Sequence, residues 1–572
     1  MIDRIEQRFR RIRRWLSRSE WAVRVFKLPT APGHPAEDGV LLLQLDGLSH
    51  PQFQRALQSG RMPFMRRLME QEEYRCTSLY SGLPSTTPAV QAELMFGRKT
   101  AVPAFHFYDR SADADRVMYE SQSANALAAE LEGEGEPLLT GGSSYSNIFG
   151  GGADEARWCA QTLDLESLLK TANPLKVGAF LILHLPKLFR LVALVCIELV
   201  LAVKDMLFGL LGRQTVSAEL KFLPSRVGVG ILLRELVRIA VKMDLARGVS
   251  IIHANLLGYD EQAHRRGPGS GFAHWSLKGI DSVVKDLFQS AAISSKRHYH
   301  TVVFSDHGQE SVRMYSRIYG TGVKTAIRQV LASMQTETAR RQDGPNARDR
   351  HIHDRASHYL RLATAARRGR YRENLSLPVI TAMGPIGNIY CRQELDDKQR
   401  TGLAQRLVTE AHLPIVLFRD STEAVHAFTR HGRFHLPDQA GAVLGEAHPF
   451  LQDAAADLVR LCRLPTAGDF VLSGWDPSEP ALTFAHENGA HGGPGTVETH
   501  AFILHPPEIR FSKQRPYVRP CELRTALLNS KHGRGTFPAI RRAVDSERHL
   551  RVATYNIHSC IGLDSKVDPR RI

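Results

Sequence analysis

The chain has 572 residues, 43% hydrophobic and 23% charged, ordinary proportions for a soluble globular protein with material for two or more domains. Lys and Arg outnumber Asp and Glu by 74 to 59, a net charge of +15; this favours an anionic partner (lipid headgroups, nucleic acid or phosphorylated substrates) without choosing among them. The seven cysteines are odd in number, scattered and never in a CxxC pair, which argues against a disulfide framework or a thiolate metal site and fits thiols in a reducing compartment.

In chain order, the first predicted element is a basic amphipathic helix. Ile2, Ile5, Phe9, Ile12 and Leu16 recur at helical spacing with arginines between them, and no apolar core of a secretory signal is present. The expectation is a cytoplasmic protein whose residues 1–37 pack on the body of the molecule or attach it to the inner face of a membrane. Val40 to Leu45 is a near-continuous apolar run ending in Asp46-Gly47, as expected of a central parallel strand with a carboxylate at its tip. Asp46 is a candidate ligand there, or the cap of the next helix. In Ser85-Thr86-Thr87-Pro88 the proline forces Thr87 to be extended and a helix follows from Ala89 to Phe96. A hydroxyl and free backbone N–H groups at that helix start could receive an anion, or the hydroxyl could simply cap the helix.

From 130 to 226 the pattern changes to a Gly- and Ser-rich loop, 141–152, followed by the most apolar part of the chain. Lys187, Arg190, Glu198, Lys204 and Asp205 interrupt that stretch and fall within roughly a third of a helical circumference. An amphipathic helix within 174–213 is expected, lying on an anionic membrane surface or against protein, rather than a spanning segment. The sheet pattern returns at Val249–Leu257, followed by Asp260 and His264, four apart and able to converge on one metal or to form a surface ion pair. His253, inside the apolar run, reads as a hydrogen-bonded core histidine.

After a helix from Ala273 to Ala291, the run Tyr299 to Phe304 ends abruptly in Ser305-Asp306-His307-Gly308. A buried strand thus delivers one hard oxygen and one imidazole nitrogen to its carboxyl end, where open α/β sheets bind ligands. Residues 338–372 are rich in Arg, Asp and His and read as a solvated helix or mobile insertion; with only Tyr359 and Tyr371 as non-histidine aromatics and no regular interleaving of rings and charges, nucleic acid is not the expected partner. A smaller α/β subdomain is expected over 336–470, with strands at Gly387–Cys391 and Ile415–Phe418. The core is expected to resume at Phe470–Ser473, continue through the Gly-rich loop carrying His486 and His491, and end with the strand His500–His505.

Taken together, Asp46, Thr86, Asp260 with His264, Asp306 with His307, and His491 resemble the alkaline phosphatase superfamily, most of all its type I phosphodiesterase/nucleotide pyrophosphatase branch. The shared motifs are an Asp-Gly ending the first strand, a Thr-x-Pro turn, Gly-x-Asp-x-x-x-His, Ser-Asp-His-Gly and a late His-Gly, in the family's order. The resemblance implies an α/β fold, a mostly parallel sheet flanked by helices, with two divalent cations. Asp46, Thr86, Asp306 and His307 would surround one cation and Asp260, His264 and His491 the other, zinc being usual and manganese the alternative. It also implies that Thr86, two residues before the proline, is the nucleophile of a phosphoric ester hydrolase passing through a phosphothreonine. Threonine at this place, in lieu of cysteine or serine, argues against sulfate esters. Thr87 and His106 are candidate substrate-binding residues; the asparagine that nucleotide pyrophosphatases carry some twenty residues beyond the nucleophile has no counterpart in 103–109. A small phosphate ester is the expected substrate, with phosphomonoesterase or phosphonate hydrolase activity, or a membrane-associated binding protein with a relict site, as rivals.

Leu550 to Cys560 resembles the first strand of an endonuclease/exonuclease/phosphatase domain, with Asn556 at its early asparagine. The expected division is 1–37, a core over 38–335 containing the insertion 130–226, a subdomain over 336–470, the rest of the core over 471–515, a linker over 516–548 and this truncated fragment over 549–572.

Overall fold

The computed structural model describes residues 19, 21, 23, 29–31, 38–133, 135–162, 228–342, 378–511 and 515–531. The expectations attached to 1–16, 174–213, 343–372 and 549–572 fall outside the described residues. The chain divides into two compact units, Met1–Phe105 with Arg116–Val312 and Glu487–Ile572, and His106–Asp115 with Arg313–His486.

The first unit is built on eight strands: β1 (Gly39–Leu45), β2 (Arg75–Tyr80), β3 (Ser143–Tyr145), β4 (Glu155–Arg157), β5 (Ile251–Leu256), β6 (Tyr299–Phe304), β7 (His500–His505) and β8 (Tyr517–Val518). Their order across the sheet is β8-β2-β7-β6-β1-β5-β3-β4. All neighbours are parallel except those of β7, which runs antiparallel to β2 and β6. The three central strands β1, β5 and β6 are buried at every position, which is why they read as unbroken apolar runs with no alternation.

Helices cover both faces of this sheet, as the parallel connections require: α1 (His50–Gln58), α2 (Pro63–Gln71), α3 (Thr87–Phe96), α4 (Arg234–Arg247), α5 (Gly258–Arg266), α6 (Gly271–Ala292) and α7 (Pro520–Lys531). Leu41, Leu43 and Leu45 of β1 share one core with Phe53, Met65, Leu68, Val241, Ile280 and Val284 from α1, α2, α4 and α6. Each such fully buried side chain contributes about 1.5–3 kcal/mol of transfer free energy. Helix α3 is buried at all ten positions, so it shows no amphipathic stripe, and it packs against α7.

Residues 516–531, expected within a linker, belong instead to the sheet and its cover: β8 extends the sheet beside β2, and α7 follows. What the composition of this stretch concealed is one buried ion pair. Arg519, 1% exposed, places Nε 3.0 Å from Glu93 Oε1 and Nη2 3.0 Å from Glu93 Oε2 in α3.

The second unit carries a six-stranded antiparallel sheet, in the order Val379–Met383, Ile386–Tyr390, Phe470–Ser473, Ile415–Arg419, Val425–Thr429, Gly432–Leu436. Two of its strands coincide with those expected. Phe470–Ser473, expected to resume the first sheet, lies at the middle of this one, because a short apolar run does not state which sheet will receive it. The helix Asp397–Thr409 starts at a capping box between Asp396 and Gln399, and Leu403 and Leu407 bury against Ile389, Phe418 and Phe470. Among the described residues no helix is long and apolar enough to cross a membrane. The described cysteines Cys76, Cys159, Cys391, Cys462 and Cys521 are all free.

Arg519→Met leaves the Glu93 carboxylate buried without its partner and is expected to cost about 3–5 kcal/mol of unfolding free energy in urea titrations. Adding Glu93→Gln should recover most of that loss.

Candidate metal centre

The topology brings five chain segments to one edge of the first sheet. Asp46 follows β1, Asp306 and His307 follow β6, and α5 after β5 carries Asp260 and His264. Because β7 runs opposite, the loop leading into it, with His491, reaches the same edge; Tyr80 at the end of β2 pairs with His500, so the Ser85–Thr87 turn arrives there too. Gly47, at φ +70°, is demanded twice over: a Cβ there would lie 2.2 Å from Asp260 Oδ1.

Two overlapping sets of ligand atoms result. Asp46, Asp306 and His307 form one set, all buried, and Asp260, His307 and His491 the other, with the atoms of each set within 4.8 Å of one another. His307 Nε2 lies 3.4 Å from Asp306 Oδ2 and 3.7 Å from Asp46 Oδ1. His491 Nε2 lies 3.9 Å from Asp260 Oδ1, and His264 joins through its Nε2, 3.3 Å from Asp260 Oδ2. The His307 and His491 rings stack with centroids 3.8 Å apart, so His307 stands between the two sets. Six of the expected ligands therefore gather.

The two threonines of the turn have different surroundings. Thr86 is the N-cap of α3, yet its side chain makes no cap bond, and its buried Oγ1 has no hydrogen-bond partner. Thr87, the first helical residue, places its Oγ1 3.2 Å from Asp46 Oδ1 and 3.1 Å from His307 Nε2. Its hydroxyl thus lies within hydrogen-bond distance of two members of the first set. The sequence motif locates the turn, while the backbone entering α3 decides which of two adjacent hydroxyls faces the carboxylates. His106 is in the second unit, its Nε2 3.5 Å from Asp115 Oδ1.

Each histidine is tied back by Nδ1. In His307 it donates to Gly308 O (3.0 Å), in His491 to Ser85 O (2.9 Å), and in His264 it is shared between Glu487 Oε2 (2.9 Å) and Gly489 O (3.0 Å). With the proton held on Nδ1, the Nε2 of His307 and of His491 presents a lone pair to the cluster, which is how metal-ligating histidines are oriented, while His264 Nε2 faces Asp260. The carboxylates are held likewise: Gln44 Nε2 donates to Asp306 Oδ2 (2.7 Å), Gly47 N to Asp306 Oδ1 (3.3 Å), Asn255 Nδ2 to Asp46 Oδ2 (3.3 Å) and Gln309 Nε2 to Asp260 Oδ1 (2.5 Å). Sequence reading missed Gln44, Asn255, Gln309 and Glu487. Gln44 left a signal, an amide inside an apolar strand two residues before Asp46 and so on the same face. His253 behaves as expected, fully buried with Nε2 3.2 Å from Gln44 Oε1.

Electrostatics set the terms of the site. Burial, reinforced by Asp306 and Asp260, pushes the Asp46 carboxyl well above the usual carboxylate range. Burial also opposes charge on Asp260, but His264 and His491 outweigh it and hold this carboxyl low. His264 is held well above the usual imidazole range against its own burial, by Asp260 and Glu487; His491 is driven well below it, by burial and then by His307. Two buried carboxylates, a partly buried third and the imidazole nitrogens form a mixed oxygen and nitrogen donor set of the kind that holds divalent cations.

Compared with known proteins, residues 231–407 match the family model for type I phosphodiesterase / nucleotide pyrophosphatase. The resemblance read from the motifs is borne out by that match, which takes in Asp260, His264, Asp306 and His307. Two crystal structures of phosphonoacetate hydrolase from Sinorhizobium meliloti 1021, in complex with phosphonoformate and with phosphonoacetate, are similar at 14% identity. The alignments cover 88% of this chain and 96% of theirs, with TM-scores of 0.40 and 0.42. No curated protein sequence matches the chain.

Behind His491, Glu498 clamps the Gly-rich loop to the threonine turn: its carboxylate accepts from Gly493 N (2.9 Å) and Gly495 N (2.8 Å) and lies 3.1 Å from Ser85 Oγ. Burial, with Glu310 nearby, pushes this acid up to about 8 from its ordinary 4.5. The folded chain then holds a proton that the unfolded chain has lost, so this contribution is complete at low pH and disappears as pH rises through the folded value. Without metal, wild-type stability should fall between pH 5 and 8 by up to ~1.4 kcal/mol per pH unit relative to Glu498→Gln, measured by urea unfolding in chelator.

Proposed function

We propose that the first unit is a divalent-metal-dependent hydrolase of phosphate diesters or pyrophosphates in small molecules, with Thr87 as its nucleophile. The observation that carries this reading is the Thr87 hydroxyl, within 3.2 Å of both Asp46 Oδ1 and His307 Nε2 at the start of a buried helix. Asp46, Thr87, Asp306 and His307 would hold one cation and Asp260, His264 and His491 the other, zinc being preferred and manganese the alternative. Such cations would neutralise the nonbridging oxygens of the substrate and favour ionised hydroxyl groups.

The protein's own groups supply the rest. A phosphodiester repels an anionic nucleophile, and a hydroxyl is a weak one; Thr87 donates its hydrogen bond to Asp46, the carboxylate nearest to receive the proton. Attack of Oγ1 on phosphorus forms the P–Oγ bond and breaks the bond to the leaving alcohol, which takes up a proton. Water then cleaves the phosphothreonine, releasing a phosphate monoester and restoring the hydroxyl. The first N–H groups of α3, which have no acceptor within the helix, favour negative charge at this place. His491 is tied to the threonine turn, since its Nδ1 donates to Ser85 O two residues before Thr87.

Thr87→Ala is expected to lower turnover of bis(p-nitrophenyl) phosphate on the order of 10³-fold or more while retaining metal. Thr86→Ala should stay within about tenfold of wild type; the reverse pattern would return the nucleophile to Thr86. Asp306→Asn should lose bound metal on elemental analysis. Faster cleavage of p-nitrophenyl phosphate or of a phosphonate ester would move the reading to a monoesterase or phosphonate hydrolase, and a metal-loaded chain inert to all three substrates would favour a binding protein.

A further inference from the structure

The opposite edge of the first sheet, about 20 Å away along six-residue strands, carries a second gathering of ligand types. Asp38 immediately precedes β1, and His298 and His300 flank Tyr299, the first residue of β6. Two residues apart on an extended chain, the imidazoles lie to one side of it. The parallel register, with Gly39 opposite Tyr299, sets the Asp38 carboxylate against both. Asp38 Oδ1 is 3.4 Å from His298 Nδ1, Asp38 Oδ2 is 3.2 Å from His300 Nε2, and the two rings meet edge-on with centroids 5.0 Å apart. All three ligand atoms lie within 4.8 Å of one another.

These separations have a specific chemical meaning. Ligand atoms ~2.0–2.1 Å from a tetrahedral zinc ion stand ~3.3 Å from each other; each imidazole nitrogen lies near that distance from a different oxygen of Asp38, and without metal the same contacts are ion pairs. The cluster is anchored at one side by His300, whose side chain is 6% exposed, and open at the other, where Asp38 and His298 are 43% and 51% exposed. A cation entering from solvent would take the place of the proton shared between Asp38 and the buried His300 ring. Glu508 adds a further negative charge close enough to act on His298.

We propose that Asp38, His298 and His300 form an additional divalent-metal site, separate from the cluster at the other edge, taking zinc with water completing its shell. The ion would join the amino ends of β1 and β6, the same two strands whose carboxyl ends carry Asp46 and Asp306. It would act as a clamp, stabilising the folded chain by mass action without contact with substrate. The proposal does not rest on the hydrolase reading.

The test uses the full chain, stripped with chelator, reloaded with zinc and freed of excess by dialysis. Asp38→Asn/His298→Ala, at two exposed positions, is expected to hold one equivalent of zinc fewer than wild type by elemental analysis. It should lose part of the zinc-dependent rise in Tm and keep wild-type turnover of bis(p-nitrophenyl) phosphate. Asp306→Asn should show the complementary loss, keeping this equivalent. Cobalt substitution gives a second readout, since the absorbance of the site should vanish in His298→Ala alone. Equal zinc content and an equal Tm response in wild type and the double variant would overturn the site. If no substrate is turned over, the stoichiometry still decides this question, so failure of the two readings is distinguishable.

Discussion

Three carboxylates crowded together, Asp46 and Asp306 buried and Asp260 partly so, are the constraint around which the first unit is arranged. Like charges withdrawn from water repel, and the chain answers with neutral donors and with imidazoles whose lone pairs face inward. Neither device cancels the charge completely. Burial still pushes the Asp46 carboxyl well above the usual range, and the Thr87 hydroxyl sits within hydrogen-bond distance of that same group.

That crowding arises from topology more than from any local motif. Parallel strands all end at one edge, so carboxylates placed after β1, β5 and β6 must meet once the strands are adjacent. The antiparallel β7 contributes from the other direction, since its leading loop, not its trailing one, arrives at that edge. Residues separated by hundreds of positions therefore meet with little freedom left, and hydrogen bonds such as Ser85 with Glu498 remove much of what remains.

The central strands and the carboxylates and histidines that gather at their ends were legible in the sequence because their signals are strong. A fully buried strand has to be apolar throughout, and a charged residue at its end stands out against it. Gln44 was readable in principle by the same contrast, whereas Gln309 and Glu487 sit in polar stretches where nothing distinguishes a supporting residue from a solvated one. Which of the two adjacent hydroxyls hydrogen-bonds to Asp46 and His307 depends on the backbone entering α3, which spacing from a proline does not encode. Phe470–Ser473 and the segment carrying β8 and α7 were assigned to the wrong place for a common reason: which sheet a short strand joins depends on partners distant in sequence. In the second segment the decisive partner was Glu93, a charge buried in an otherwise apolar helix.

That pairing reaches further than stability. The helix that begins with Thr87 is gripped from behind, one and a half turns along, by an arginine more than four hundred residues later in the chain. The hydroxyl's aim is thereby made dependent on a stretch that touches neither carboxylate nor imidazole of the cluster. A shortened version of this protein meant to retain the chemistry would have to extend through residue 531, however complete its ligand set looked without it.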